Sequence, residues 1–137
     1  TIVFSLILVP ILFFWQGREA PATPSVTINL SSKTNSQAGI SFEATPLNFS
    51  FDQLVKFEIK IDTHSGSLDF DLTKISLLED NGGNKYLPIG WQGAGPGSHH
   101  LAGILIFPEL NSEVKYIKLS IRDINQNSPL IFEWILE

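Results

Sequence analysis

The sequence predicts an all-β fold: an immunoglobulin-like antiparallel β-sandwich preceded by a hydrophobic, transmembrane N-terminal helix. Residues 1–15 carry no charged side chain, which is typical of a helix that enters a membrane. From residue 26 onward, apolar and polar residues alternate as they do along half-buried antiparallel strands. Turn sequences separate these runs at intervals of roughly 8–12 residues, which is the spacing of a sandwich of short strands.

Length and composition limit the chain to one compact domain with an appendage. The 137 residues are 43% hydrophobic and carry a formal net charge of −5. No block of basic residues is present, which argues against nucleic-acid binding. The chain has no cysteine, so disulfides, thiolate zinc sites and thiol nucleophiles are excluded.

The first 25 residues predict a membrane anchor and a linker. A bilayer span takes roughly 20 apolar residues, and the uncharged run 1–15 is interpreted as a retained single-span anchor. The alternative is the apolar core of a cleavable signal peptide, since Ala20-Pro21-Ala22 has a small-x-small pattern. Residues 16–25 form a linker that two prolines stiffen, and it would hold the domain 26–137 off the membrane.

Within this domain, period-two alternation predicts roughly seven to nine short strands. The clearest runs from residue 54 to 64, where apolar side chains point one way and charged side chains the other. Residues 31–39 are polar and predict a loop, and residues 80–84 predict a tight turn. The predicted strands cover residues 26–30, 40–44, 54–64, 68–73, 75–79, 86–91, 99–107, 117–121 and 130–136. The side chains expected in the core include Phe57, Ile59, Ile61, Leu105, Leu119 and Trp134.

A glycine-rich bend stands out at residues 93–97. Three glycines and Pro96 fall within five residues, and neither a helix nor a strand continues through such a run. Trp91 lies two residues before the bend. Its simplest interpretation is a core side chain, and the alternative is a partly exposed ligand platform for a sugar or a protein partner.

The three histidines, His64, His99 and His100, are expected at one rim of the sandwich. If consecutive strands run antiparallel, the chain brings all three, with Asp62 and Asp123, to the end where the glycine bend lies. Imidazole and carboxylate ligands suit zinc or copper. His64 with one of the other two histidines, supported by either aspartate, is therefore the candidate metal site. The alternative is that the histidines are structural residues of a bend.

Two sequence patterns resemble those of a known group. Leu78-Glu79-Asp80, Gly83-Asn84-Lys85-Tyr86 and Pro88 fit the hairpin pattern L-x-D-x-x-G-x-x-Y-x-P, and Asp62-Thr63-His64-Ser65 is combined with Trp91 and Gly97-Ser98-His99-His100-Leu101-Ala102-Gly103. Over residues 40–137 the chain resembles small exported, membrane-tethered immunoglobulin-like domains of bacteria and archaea. The resemblance implies an extracytoplasmic location and supplies no catalytic residues.

These observations favour a non-catalytic binding domain over an enzyme. The sequence contains no G-x-S-x-G nucleophile elbow, phosphate loop or EF-hand spacing. We expect a membrane-anchored accessory domain of the cell envelope that binds a protein or envelope ligand on the extracytoplasmic side. The alternative is a subunit of an extracellular pilin-like filament, since archaeal pilins also join an apolar N-terminal helix to a β-sandwich.

Overall fold

The chain forms nine strands and one helical turn in the part that a computed structural model describes, residues 17, 19–22, 24–122 and 128–137. The predicted anchor at residues 1–15 lies outside these residues. The elements are β1 (Lys33–Gln37), β2 (Ile40–Pro46), β3 (Leu54–Thr63), α1 (Leu72–Ile75), β4 (Ser76–Asp80), β5 (Lys85–Tyr86), β6 (Gly90–Gly93), β7 (His100–Glu109), β8 (Tyr116–Ile121) and β9 (Leu130–Ile135).

The strands build two antiparallel sheets that pack as a β-sandwich. One sheet has the order β1-β2-β3-β7-β6 and the other the order β5-β4-β8-β9. The six predicted core side chains are all buried, each at most 3% exposed, which confirms the inward faces assigned from the alternation. Phe57 of β3 packs against Trp134 of β9 with ring centroids 5.3 Å apart, so this contact joins the two sheets.

The predicted loop 31–39 is wrong, because it contains strand β1. Ala38 and Gly39 connect β1 to β2 with positive φ angles of 51° and 78°, the combination that a two-residue type I′ hairpin requires. All but one residue of β1 are exposed, since the strand lies at the edge of its sheet. A strand that is exposed on both faces has no apolar alternation, and the sequence pattern therefore missed it.

Two other predicted strands are replaced by looser structure. Residues 26–30 contribute one bridge, between Ile28 and Phe49. Residues 68–73 contain a bridge from Leu68 to Ser98 and then the start of α1, because the Asp71 side chain accepts the Thr73 backbone N–H and caps that helical turn. Leu68 and Leu72 are nevertheless buried and Asp69 is exposed. The alternation therefore predicted the burial of these side chains correctly, although the segment is not a strand.

The predicted strand 86–91 is two strands that belong to different sheets. Tyr86 ends β5 in the four-stranded sheet, and Gly90 begins β6 in the five-stranded sheet. Pro88 lies between them and has no N–H to donate to a ladder, which explains the break. The chain thus crosses the open side of the sandwich over residues 87–89 and reaches the glycine bend from there.

A buried carboxylate organises the turn after β4. Asp80 is 5% exposed, and its side chain accepts backbone N–H groups of Gly82 and Asn84 at 2.8 and 3.0 Å. Its other oxygen accepts the Tyr86 hydroxyl at 2.8 Å. Burial opposes ionisation, but the hydrogen bonds from Asn84, Tyr86 and Gly82 outweigh it and hold the pKa of Asp80 below its ordinary value.

We expect this carboxylate to make stability fall in acid. Because the folded pKa lies below the unfolded value of about 3.9, the stabilisation is present above that value and is lost as the pH falls through the folded pKa. Asp80→Asn should cost about 1 kcal/mol at pH 7 and flatten the loss of stability between pH 5 and 3. Urea unfolding at both pH values measures this. Parallel pH curves for the wild type and the variant would contradict it.

Candidate functional site

Asp62 and His100 are the part of the predicted metal site that the structure brings together. They lie directly opposite each other on the antiparallel strands β3 and β7, and His100 Nδ1 contacts Asp62 Oδ1. Both side chains are largely exposed, at 78% for His100 and 54% for Asp62. An exposed pair of this kind contributes little to stability, because solvent competes for both groups.

The other proposed ligands do not complete a described site. Among the residues that the structure describes, no three His, Asp or Glu side chains lie close enough to hold a metal ion. His64 and His99 are exposed, and the His99 carbonyl oxygen accepts the Thr63 backbone N–H at 3.0 Å. Asp123 lies in the segment 123–127, outside the described residues. The zinc or copper site stays a prediction.

Trp91 is held in place by a pair of glycines. Gly93 of β6 and Gly103 of β7 are opposite each other in the ladder. A Cβ atom added to Gly103 would lie 2.5 Å from Trp91 Cζ2, and one added to Gly93 would lie 2.9 Å from the same atom. The ring therefore occupies the space that two ordinary side chains would fill. Its Nε1–H donates to the Ala94 carbonyl oxygen at 3.0 Å, which fixes the ring against the bend.

A concavity of about 250 Å³, which we call the Trp91 cleft, opens beside this ring. It lies between the glycine bend and the segment that enters α1. The side chains that line it include Trp91, Phe70, Leu72, Leu101, Pro96 and Asp71. All of these except Asp71 are apolar, so the cleft offers an apolar surface with one carboxylate.

Local contacts keep both walls of the cleft in position. Phe70 stacks on the fully buried Phe42, with ring centroids 6.2 Å apart and planes inclined by 21°. Two backbone hydrogen bonds join this segment to the bend: Gly97 N–H donates to the Leu68 carbonyl at 3.0 Å, and Leu68 N–H donates to the Ser98 carbonyl at 2.9 Å. Gly97 has a φ of 110°, which an L side chain rarely adopts, so glycine is required at this point of the bend.

Asp71 gives the cleft a fixed negative charge. Its Oδ1 accepts the Thr73 hydroxyl at 2.6 Å and the Thr73 backbone N–H at 3.0 Å. The hydroxyl is the main reason that the pKa of Asp71 is lowered, and the backbone bond adds to it. Lys74 Nζ lies 3.7 Å from Oδ2, further than a hydrogen bond. Asp71 is therefore ionised at neutral pH.

Three larger concavities, of about 390, 460 and 490 Å³, lie elsewhere on the surface of the residues that the structure describes. Two of them border the linker around Ser25, and the third lies beside Tyr116 and Trp134. All three are more open to solvent than the Trp91 cleft. Because ligand sites are concave and lined mainly by apolar side chains, we regard the Trp91 cleft, the least open of these four, as the candidate binding site.

Sequence reasoning located one side of this cleft and missed the other. It identified Trp91 as a candidate ligand platform, and the structure places that ring in the cleft wall; its role in binding stays a prediction. Phe70 and Leu72 were missed because residues 68–73 were predicted to form a strand, and a strand gives no reason to place these side chains beside Trp91. The spacing Asp71-x-Thr73, a helix-capping pattern, was the available signal for the turn that brings them there.

Comparison of the chain with protein-family models, curated proteins and solved structures found no match. In the residues that the structure describes, no helix has the length and apolar character needed to cross a membrane.

Proposed function

We propose that this chain is a membrane-tethered, extracytoplasmic, immunoglobulin-like domain that binds a protein partner through the Trp91 cleft and catalyses no reaction. The observation that carries the proposal is the cleft itself: a preformed apolar concavity of about 250 Å³ with an immobilised tryptophan in its wall. Rigid aromatic side chains in pockets that exclude water dominate the energetics of many protein interfaces. A concavity of this size accommodates one side chain of a partner, and is smaller than the roughly 300–1,000 Å³ of typical small-molecule sites.

The strand order supports an immunoglobulin-like arrangement. Strands β2, β3, β7 and β6 occupy the order that A, B, E and D have in such a sheet, and β5, β4, β8 and β9 occupy the order of C′, C, F and G. Strand β1 is then an additional edge strand. The chain lacks the disulfide of antibody domains, and the packing of Phe57 on Trp134 joins the two sheets instead.

The lining of the cleft favours a protein over a carbohydrate. Sugar recognition needs several convergent donors and acceptors beside an aromatic ring, and Asp71 is the one charged side chain in this lining. The indole N–H of Trp91 already donates to Ala94, and Oδ1 of Asp71 already accepts two hydrogen bonds. Few polar groups therefore remain for hydroxyls.

The arrangement around His100 does not match a serine catalytic triad. Ser41, Asp62 and His100 lie in one row across β2, β3 and β7, with the aspartate in the middle. A serine nucleophile is activated by a histidine that stands between it and the carboxylate. In this row the aspartate, and not the histidine, is next to the serine, so the three residues do not form a catalytic triad.

The membrane tether rests on the uncharged run 1–15 and the proline-containing linker 16–25. External protease added to intact cells tests it, because a tethered extracytoplasmic domain should be digested without lysis. Protection until lysis would contradict the location.

Trp91→Ala should weaken ligand binding at the cleft at least tenfold, which corresponds to about 1.4 kcal/mol, because the substitution removes the central aromatic wall. The measurement is an NMR titration of the ¹⁵N-labelled chain with capped Gly-X-Gly tripeptides, in which X is a charged or an apolar residue, and with N-acetylglucosamine. We expect a peptide to shift the Trp91 indole and the Ala94 and Leu101 amides.

Leu54→Ala is the matched control, since Leu54 is a 44% exposed apolar residue outside the cleft lining. Trp91→Phe keeps an aromatic ring and should retain part of the affinity. Thermal unfolding checks that each variant is folded. Ligand-induced shifts that avoid the cleft, or equal binding by folded Trp91→Ala, would rule out the proposed site.

A further inference from the structure

We propose that the side chain that enters the Trp91 cleft is cationic, an arginine or lysine of the partner protein. This inference rests on the proposed function and specifies its ligand. The aliphatic part of such a side chain would pack on Leu72, Leu101 and Pro96, and its charged end would reach Asp71.

The aromatic walls suit a cation. Trp91 and Phe70 both line the cleft, and a guanidinium or ammonium group within about 6 Å of an aromatic face is attracted by the negative face of the ring. The indole N–H of Trp91, its one hydrogen-bond donor, is already used by the Ala94 carbonyl. The ring is thus left with its apolar and π surface for a ligand. Phe70 cannot turn away freely, because it stacks on Phe42 in the core.

The carboxylate of Asp71 supplies a charge partner with unused capacity. Its side chain is 50% exposed, so an incoming group can reach it. Thr73 occupies Oδ1, whereas Oδ2 has Lys74 Nζ at 3.7 Å, too far for a hydrogen bond. A guanidinium could donate to Oδ2 at normal distance. The ionisation of Asp71 at neutral pH, which follows from its lowered pKa, keeps this acceptor charged.

Lys74 places a cation of the chain itself near Oδ2 of Asp71. Its side chain is 79% exposed, and an exposed pair between neighbours on one helical turn is weak. A partner cation that also packs on the rings should therefore displace it. The net charge of −5 and the exposed carboxylate of Asp69, next to Phe70, add to the attraction. An anionic ligand would meet the opposite field.

The test uses the full 137-residue chain, ¹⁵N-labelled, and four capped tripeptides: Gly-Arg-Gly, Gly-citrulline-Gly, Gly-Leu-Gly and Gly-Glu-Gly. Citrulline has nearly the shape of arginine without its charge. We expect the arginine peptide to shift the Trp91 indole signal and to bind at least threefold more tightly than the citrulline peptide. Raising the salt concentration should weaken only the arginine peptide.

Two substitutions test the electrostatic part in opposite directions. Asp71→Asn should lower the affinity for arginine to that for citrulline. Lys74→Gln should raise it about twofold, and this variant keeps the proposal testable if Asp71→Asn weakens the helical turn. Glu109→Gln removes the same charge at the far end of β7 and should have no effect.

The outcomes separate the inference from the proposed function. If the leucine peptide shifts Trp91 as strongly as the arginine peptide, and Lys74→Gln has no effect, the cleft binds a partner but the cationic assignment is wrong. If no peptide shifts the cleft residues of the folded chain, both are wrong.

Discussion

Replacement of Phe57 by alanine is expected to lower the free energy of unfolding by about 3–5 kcal/mol. Phe57 is fully buried, packs edge-on against Phe107 with centroids 5.8 Å apart, and contacts Trp134 in the other sheet. The substitution leaves a cavity between the two sheets that the surrounding β-strands cannot close without breaking their ladders. Urea unfolding monitored by tryptophan fluorescence measures the change.

Ile135→Ala is the control for this substitution. Ile135 also lies on a strand of the sandwich, but it is 65% exposed on the outer face of β9, so its truncation should cost less than about 0.5 kcal/mol. Similar losses for Phe57→Ala and Ile135→Ala would show that the core lies elsewhere.

The second large effect is expected for Gly103→Ala, which should destabilise the domain by about 1–3 kcal/mol and open the Trp91 cleft. The new methyl group would lie 2.7 Å from the Gln92 carbonyl oxygen and 2.7 Å from Gly93 Cα, besides its 2.5 Å approach to Trp91. The first two of these atoms belong to the β6 backbone, so the whole strand must move away from β7. The indole ring of Trp91 then loses the space that Gly93 and Gly103 leave for it.

Gly90→Ala provides the matched control, because Gly90 is also in β6 and a Cβ atom there would meet only the Ile106 side chain, at an ordinary contact distance of 3.9 Å. This variant should keep both its unfolding temperature and the chemical shift of the Trp91 indole. Gly103→Ala should change both. A stable Gly103→Ala variant with an unmoved indole signal would disprove the role of the glycine pair.

The sequence was sufficient to predict which faces of the central strands are buried. Phe57, Ile59 and Ile61 recur at every second position, and this period follows directly from the geometry of a strand. This period does not indicate which other strand a given strand pairs with. Residues 86–91 look like one strand, and only the pairing shows that Tyr86 and Gly90 belong to different sheets.

The predicted metal site and the Trp91 cleft show the same division between local and non-local information. The antiparallel argument brought Asp62 and His100 to one end of the sandwich, and the ladder of β3 and β7 pairs them. The wall opposite Trp91 depends instead on a helical turn and on the stacking of Phe70 on Phe42, which residue spacing does not encode. The preference of Asp71 for a cap was visible, but its position beside the indole was not.

The closure of the sandwich between its first and last strands has a consequence for the speed of folding. Gln37 Nε2 donates to the Ser128 carbonyl across 91 residues, and Trp134 Nε1 donates to the Ser31 carbonyl across 103 residues. Chains that depend on contacts between such distant positions must lose much of their entropy before those contacts form. Domains of this topology refold in roughly milliseconds to seconds, rather than the microseconds of small helical bundles. While the chain is being synthesised, β1 can pair with β2 but lacks its contacts with β9, and its exposed edge depends on polar side chains to avoid pairing with another copy.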